Sequence, residues 1–193
     1  MLALDSSNGN VRWSFSAGDG VKPQPLVTQT SIYQTKISPD QLFALDALSG
    51  ATQWTYSDGD SVFFYNSITD EAPGTLFTCG RGNTLYALNI STGALNWKYT
   101  GSASYNVSPL FSNGTVYLPG NDSTFCAINA VSGQLIWKFI AGENILVAPT
   151  LINGVLYFGC GDKKLYAINA ATGKLEWCYI TKSYIFSPVF SLF

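Results

Sequence analysis

Short apolar runs follow one another along the whole chain, separated by glycine, asparagine and proline. Residues 115–118 (TVYL) and 155–159 (VLYFG) are examples, and an Asn-Gly pair stands directly before each of them, at 113–114 and 153–154. Alternating or continuous apolar runs of this length predict β-strands, and an Asn-Gly pair between two such runs predicts a tight hairpin. No segment has the spacing of an amphipathic helix. We therefore predict an all-β fold.

One pattern returns five times, as in residues 85–97 (LYALNISTGALNW). Each copy ends in tryptophan, with glycine four residues earlier, Asp or Asn eight earlier and Ala ten earlier. The tryptophans are Trp13, Trp54, Trp97, Trp137 and Trp177, at spacings of 41, 43, 40 and 40 residues, and the glycines are Gly9, Gly50, Gly93, Gly133 and Gly173. A fixed period near 40 predicts stacked supersecondary units.

The residue types in this pattern suggest their roles. The Asp or Asn side chain can cap a tight turn, and glycine can adopt the positive φ that such a turn requires. Alanine allows close approach, and each tryptophan buries roughly 150–250 Å², worth about 4–6 kcal/mol before entropy is subtracted. One unit cannot bury that surface alone, so we expect each tryptophan to dock on the neighbouring unit.

Each unit holds four strand signals, which we label A to D, with the tryptophan on strand D. Four-stranded units repeated every 40 residues predict a β-propeller. We expect residues 1–193 to form a single propeller domain or propeller segment with blade ends near 13, 54, 97, 137 and 177. Strands C and D at residues 2–5 and 11–15 would open the chain, four whole blades would follow, and a lone A strand at 185–190 would close it.

The motif Ala-x-Asp/Asn-x-x-Ser/Thr-Gly-x-x-x-Trp resembles the tryptophan-docking motif of the pyrroloquinoline-quinone (PQQ)-type propellers. Residues 167–177 (AINAATGKLEW) fit it completely, whereas Asn8 replaces Ser/Thr in the first copy. The resemblance implies a larger ring of seven or eight blades, of which this chain would be a segment. The rival expectation is a five-bladed ring in which residues 185–190 join the N-terminal strands.

The PQQ-type family that this chain resembles contains both catalytic and non-catalytic proteins. Catalytic relatives stack the quinone between a tryptophan and a disulfide of adjacent cysteines, and bind calcium through carboxylate and amide oxygens. Here no two cysteines are adjacent, and the expected A strands carry no charged residue. We therefore expect no catalytic residue, no cofactor and no metal site, as in the non-catalytic BamB-like branch. The alternatives are a segment of a quinoprotein dehydrogenase or a regulatory module of a larger kinase or acyl-activating protein.

The amino-acid composition excludes several kinds of catalysis and argues against several kinds of partner. The chain has no histidine, which excludes histidine-based acid/base catalysis, metal ligation and Ser-His triads. The net charge of −2 and the lack of a basic stripe argue against nucleic acid as a partner, and no apolar run approaches the ~20 residues of a membrane helix. Four well-separated cysteines are expected to be free thiols. Free thiols argue against a strongly oxidising compartment, whereas the four Asn-x-Ser/Thr sequons argue for one, so the sequence does not assign a compartment.

Charged residues concentrate on one face of the predicted propeller, where the D–A and B–C connections emerge. Charged loops on a rigid scaffold are common binding sites. We expect a protein partner at this face, and two aromatic side chains could either anchor it or pack in the core. The candidate partner-binding residues are Asp19, Lys22, Asp58, Asp60, Arg81, Tyr105, Asp122, Glu143, Lys163, Lys164 and Tyr184.

Overall fold

The computed structural model describes residues 1–16, 25–36, 41–59, 65–69, 74–80 and 83–185. Within these ranges all regular structure is β-strand, as the apolar pattern predicted. No described segment is a helix of the length and apolarity that crossing a membrane requires.

In the part of the chain that the structure describes, the strands form one two-stranded sheet and four four-stranded sheets. The two-stranded sheet, which we call the half-blade, contains β1 (Leu2–Leu4) and β2 (Val11–Ser14). Blade 1 contains β3 (Leu26–Val27), β4 (Ser31–Lys36), β5 (Gln41–Asp46) and β6 (Thr52–Tyr56), and blade 2 contains β7 (Tyr65–Thr69), β8 (Thr75–Gly80), β9 (Thr84–Asn89) and β10 (Leu95–Thr100). Blade 3 contains β11 (Leu110–Ser112), β12 (Thr115–Pro119), β13 (Thr124–Asn129) and β14 (Leu135–Ile140). Blade 4 contains β15 (Thr150–Ile152), β16 (Val155–Gly159), β17 (Lys164–Asn169) and β18 (Leu175–Ile180).

Every blade is an antiparallel meander in the order A, B, C, D, which confirms the predicted architecture of four blades after a half-blade. The first strands of blades 3 and 4 are shorter than the sequence suggested. The apolar runs before the two Asn-Gly pairs, residues 107–112 and 146–152, each have the length of a full strand, but β11 and β15 begin only after Pro109 and Pro149. Proline has no N–H to donate to a β ladder, so regular pairing starts one residue later.

The two predicted Asn-Gly hairpins have the left-handed backbone that such turns need. Asn113 and Gly114 have φ of 47° and 74°, and Asn153 and Gly154 have φ of 49° and 79°. Positive φ at both central residues gives the twist that joins two antiparallel strands directly. These turns therefore fix strands A and B of blades 3 and 4 in register.

The hydrophobic core lies between the blades. Four buried clusters each join two successive sheets, and the largest pair blade 2 with blade 3 and blade 3 with blade 4. In the last of these, Phe125 of β13 stacks on Phe158 of β16 with ring centroids 4.8 Å apart. The stability of each blade therefore depends on its neighbours, as in other repeat proteins.

None of the four cysteines forms a disulfide, as predicted. Cys79, Cys126 and Cys178 lie on β8, β13 and β18, whereas Cys160 follows the end of β16 instead of lying on it. The final A strand expected at residues 185–190 lies outside the described residues beyond Ile185. The closure of the ring and the domain boundaries therefore stay predictions.

Candidate functional site

Four of the five motif tryptophans contact the turn of the following unit, whereas Trp177 is exposed. The indole N–H of Trp54 donates to the carbonyl oxygen of Ile90 at 3.0 Å, and that of Trp137 donates to Ala170 at 3.0 Å. The same bond occurs from Trp13 and from Trp97, to the residue that follows the motif Asp or Asn in the next unit. One hydrogen bond of constant geometry thus joins each unit to the next.

The motif glycine makes room for this indole. A Cβ atom placed on Gly133 would lie 2.7 Å from ring carbons of Trp97, and the corresponding distances at Gly50, Gly93 and Gly173 are 2.5–2.6 Å. These glycines also have φ near +70°. Both space and backbone conformation therefore require glycine at this position.

The motif Asp or Asn caps the same turn. Asp46 Oδ1 accepts hydrogen bonds from the backbone N–H of Ser49 and Leu48 at 2.8 and 3.1 Å, and the Ser49 hydroxyl donates to the same oxygen. The hydroxyl bond, with the backbone bond from Ser49, holds the pKa of the Asp46 carboxyl below its usual value. Asn129 Oδ1 plays the same part for the backbone of Val131 and Ser132. The motif turn is thus a rigid, preformed docking site for the tryptophan of the preceding unit.

Backbone hydrogen bonds join the D–A and B–C loops across successive blades. Asn121 N–H in the B–C loop of blade 3 donates to Ser104 O in the loop that leads into that blade, and Gly161 N–H donates to Asn144 O one unit later. Within blade 3, Ala141 N–H donates to Ser123 O, which ties its outgoing loop to its own B–C loop. The loops on this face therefore form a continuous hydrogen-bonded surface over blades 3 and 4.

Three aspartates on this face serve the scaffold: the candidates Asp58 and Asp122, and Asp162, which was not a candidate. Asp122 accepts from the Ser102 hydroxyl at 2.6 Å and from the backbone of Thr124. Asp162 accepts from the Tyr166 hydroxyl at 2.6 Å and forms an ion pair with Lys164 at 3.0 Å. These carboxylates link loop to loop or loop to strand.

Asp58 makes the same kind of link between blades 1 and 2. It accepts from the Tyr86 hydroxyl at 2.9 Å and pairs with Lys98 at 3.3 Å. Sequence reasoning did not find Tyr86 or Lys98, nor Ser102 and Tyr166 beside the other two aspartates, because they lie on other strands and loops. The one local signal is the Asp-x-Thr spacing of Asp122 and Thr124.

Hydrogen bonding changes the titration of these groups. Burial alone would raise the pKa of Asp122, but the bonds from Ser102 and Thr124 outweigh it and hold the pKa below its usual value. Asp162 follows the same pattern: burial alone would raise its pKa, but the hydrogen bonds it accepts, first from Tyr166, outweigh burial and hold the pKa below its usual value. Burial, with the bond to Asp58, raises the pKa of Tyr86 well above its usual value. All three groups are held in the charge state that stabilises the loops at neutral pH.

Glu143, Lys163 and Tyr184 are exposed on the same face. Lys163 has φ of 63°, and its Nζ lies 5.2 Å from the centre of the Tyr184 ring. Tyr184 is 53% exposed, and Leu146 in the preceding D–A loop is also exposed. An aromatic ring, an aliphatic side chain and charges of both signs are thus presented by loops at the blade 4 end of this face.

Tyr105 is buried. It is 1% exposed and packs in the cluster between blades 2 and 3, where it lies over Gly101 and takes the space of a side chain there. The expectation that it could anchor a partner is therefore corrected in favour of core packing. Four further candidates, Asp19, Lys22, Asp60 and Arg81, lie outside the described residues.

The described part of the chain holds no group of three or more His, Cys, Asp or Glu side chains placed to bind a metal ion. The described A strands with assigned side chains, β3, β11 and β15, consist of apolar and hydroxyl residues. These strands therefore contain no carboxylate that could bind a calcium ion.

A family model described as outer membrane protein assembly factor BamB matches residues 1–73 and 69–183. A search of curated proteins found no match.

Three solved structures are similar to this chain in fold. BamB from Moraxella catarrhalis is 20% identical with a TM-score of 0.75, over 93% of this chain and 58% of that one. A europium-containing methanol dehydrogenase is 17% identical with a TM-score of 0.74, over 93% and 46%, and Sqt1 from Saccharomyces cerevisiae is 13% identical with a TM-score of 0.74, over 93% and 55%. At these identities the likeness shows the fold alone. The chain spans about half the length of the structures it matches.

Proposed function

The chain belongs to the PQQ-like repeat family described as outer membrane protein assembly factor BamB, and from that premise we propose that it is a non-catalytic scaffold that binds a protein partner. The partner binds the face that carries the D–A and B–C loops. No step of this function needs a cofactor or a metal ion.

The observation that carries the proposal is the hydrogen-bonded continuity of these loops. The bond from Asn121 N–H to Ser104 O and the bond from Gly161 N–H to Asn144 O each tie a D–A loop to the B–C loop of the blade that it leads into. A surface already ordered in the free protein loses little conformational entropy when it binds, so more of the contact energy appears as affinity. Loops that hydrogen bonds hold in place before binding are suited to binding a partner protein.

The exposed side chains define what this face can recognise. Tyr184 and Leu146 offer apolar contact area, while Glu143 and Lys163 offer one charge of each sign. Aromatic side chains are enriched among the residues that dominate binding energy, and rim charges set orientation and association rate. The expected partner is a folded protein or peptide with an apolar centre and mixed charge around it.

Site-specific photo-crosslinking in the source organism tests this proposal. A benzoylphenylalanine at position 184 or 143 should form a covalent adduct with one discrete protein partner. The matched controls are positions 131 and 48, which are also highly exposed but lie in the motif turns on the opposite face. A Glu143→Arg, Lys163→Glu double variant should abolish the adduct at 184. Adducts from 131 and 48 with none from 184 and 143, or no adduct at any position, would contradict the proposal.

A further inference from the structure

A groove lies between blades 3 and 4 on the motif-turn face, opposite the partner-binding loops. Its volume is about 440 Å³, which is within the range of small-molecule sites in proteins. The A–B hairpins of both blades, the start of β14 and the motif turn of blade 4 form its walls. Residues 83–185, described without a gap, contain both blades. The groove is therefore formed by two neighbouring blades that the structure describes completely.

The floor of the groove is apolar. Trp137 and Tyr117 of blade 3 line it together with Leu151 of blade 4. The Trp137 indole N–H and the Tyr117 hydroxyl both donate to the carbonyl oxygen of Ala170, at 3.0 and 3.3 Å. The polar ends of both rings are therefore already paired, and a ligand in the groove meets mainly ring and aliphatic carbon.

One wall carries an exposed aliphatic side chain that the repeat does not explain. Ile136, which directly precedes Trp137, is 49% exposed and borders the groove. The residues directly before the other four motif tryptophans are polar or charged, namely Arg12, Gln53, Asn96 and Glu176. An exposed isoleucine at this position is thus particular to blade 3, the blade that forms the groove with blade 4.

Two asparagine side chains stand at the rim. Asn113 and Asn153 are the first residues of the A–B hairpin turns of blades 3 and 4, and both are exposed. Strand pairing on either side of each two-residue turn fixes their backbone. Asparagine suits the backbone of such a turn, and no described residue hydrogen-bonds either amide. Two amides on a fixed backbone are thus available to one ligand, which lowers the entropic cost of binding.

The described residues that line the groove carry no charge. A phosphate, sulfate or carboxylate would enter it without a cationic partner, and burying an unpaired charge is costly. A purely aliphatic ligand would leave the two amides without hydrogen bonds. The lining therefore favours an uncharged ligand that combines small apolar surfaces with hydrogen-bonding groups at its edge.

We propose that this groove binds a neutral oligosaccharide that contains N-acetylhexosamine. The apolar face of one sugar ring packs on the floor, and the methyl of its acetamido group contacts Ile136. Asn113 and Asn153 exchange hydrogen bonds with the hydroxyl and acetamido groups, since an amide side chain, like a sugar hydroxyl, both donates and accepts. The two amides come from different hairpins, so they reach the periphery of one compact ring and not successive groups along an extended peptide. This site is additional to the protein-binding face.

Isothermal titration calorimetry with chitotriose and cellotriose tests the proposal. Both probes are neutral trisaccharides with the same linkage, and cellotriose has a hydroxyl where chitotriose has an acetamido group. Chitotriose should bind at one site per chain, and cellotriose should bind at least tenfold more weakly because it lacks the methyl groups that contact Ile136.

Variants locate the site. Ile136→Asn gives blade 3 the residue that blade 2 carries at the same position, so the fold should tolerate it, and it should weaken chitotriose binding at least tenfold. Asn153→Gly removes an amide but keeps a residue that readily adopts positive φ, and it should weaken binding at least fivefold. Gln134→Ala is the matched control, an exposed amide in the blade 3 motif turn outside the groove, and should change the Kd less than twofold. Circular dichroism melting checks that each variant is folded.

The proposal is overturned if chitotriose does not bind at millimolar concentration, or binds no more tightly than cellotriose. Chitotriose binding that is unchanged in both Ile136→Asn and Asn153→Gly would equally overturn it, because the sugar would then occupy another surface. A photo-crosslinker at position 136 that captures a protein, with no chitotriose binding, would assign the groove to a protein partner instead. None of these outcomes alters the crosslinking expected at positions 184 and 143, so the two proposals fail separately.

Discussion

The glycine at the motif turn is the residue on which the architecture depends most narrowly. Gly133 adopts a positive φ that other residues rarely adopt, and it leaves free the space of a Cβ, which the indole of Trp97 occupies. Tryptophan supplies the buried area, but glycine decides whether the indole can approach its carbonyl partner. The motif therefore works as a pair, with its two members in successive units.

Gly133→Ala should lower the free energy of unfolding by about 2–5 kcal/mol, since it combines a strained left-handed backbone with a clash against a packed ring. Gly9→Ala is the matched control, with the same motif position and nearly the same φ but no neighbour within 4 Å. It should cost only about 1 kcal/mol, the backbone part alone. Urea denaturation of dilute protein measures both. Equal losses would mean that the indole does not depend on the missing Cβ.

At the scale of elements, the B–C loops show how short segments hold two blades together. The loop of blade 3 bonds backwards through Asn121 to Ser104 and through Asp122 to Ser102, both in the loop that leads into the blade. Its left-handed residue, Ser123, recurs forty positions later as Lys163. Repetition thus extends to loops whose sequences share little beyond the aspartate and that backbone conformation.

The acid sensitivity of the protein should depend partly on Asp122. Its pKa is lowered in the folded state, so its stabilising contribution is complete above the unfolded-state pKa of about 4 and is lost as pH falls below that value. Between pH 6 and pH 2.5 the urea midpoint should fall less for Asp122→Asn than for the unaltered protein. Ser102→Ala, which removes a donor and keeps the carboxylate, should also reduce the fall. Parallel curves for all three proteins would contradict this assignment.

The elements were largely predictable, and the contacts between them only in part. The five tryptophan copies and the Asn-Gly pairs predicted the blades and hairpins because these signals are local and periodic. The spacing also named the residues that sit at the docking contacts. By contrast, the sequence left Tyr105 open between anchoring a partner and core packing, because burial of a loop aromatic depends on how the loop folds, here over Gly101. The bonds of Asp58 to Tyr86 and Lys98 join residues 28 and 40 positions apart, which no local pattern encodes.

At the scale of the whole molecule, one interface repeated four times builds a scaffold whose two faces differ. On one face, indole N–H bonds to the motif turns join successive units. On the other, backbone bonds between loops do the same and leave Glu143, Lys163 and Tyr184 exposed. Four of the five tryptophans serve docking, the A strands with described side chains carry no charge, and no two cysteines are adjacent in sequence.

The central claim is that this array recognises a protein and does not hold a redox quinone. The most direct measurement is a titration of the purified protein with PQQ and calcium, followed by quinone absorbance and by dye-linked oxidation of a primary alcohol. The described A strands β3, β11 and β15, which carry no charged residue, predict no saturable quinone binding and no turnover above the protein-free rate. Stoichiometric binding of PQQ accompanied by alcohol oxidation would contradict the account.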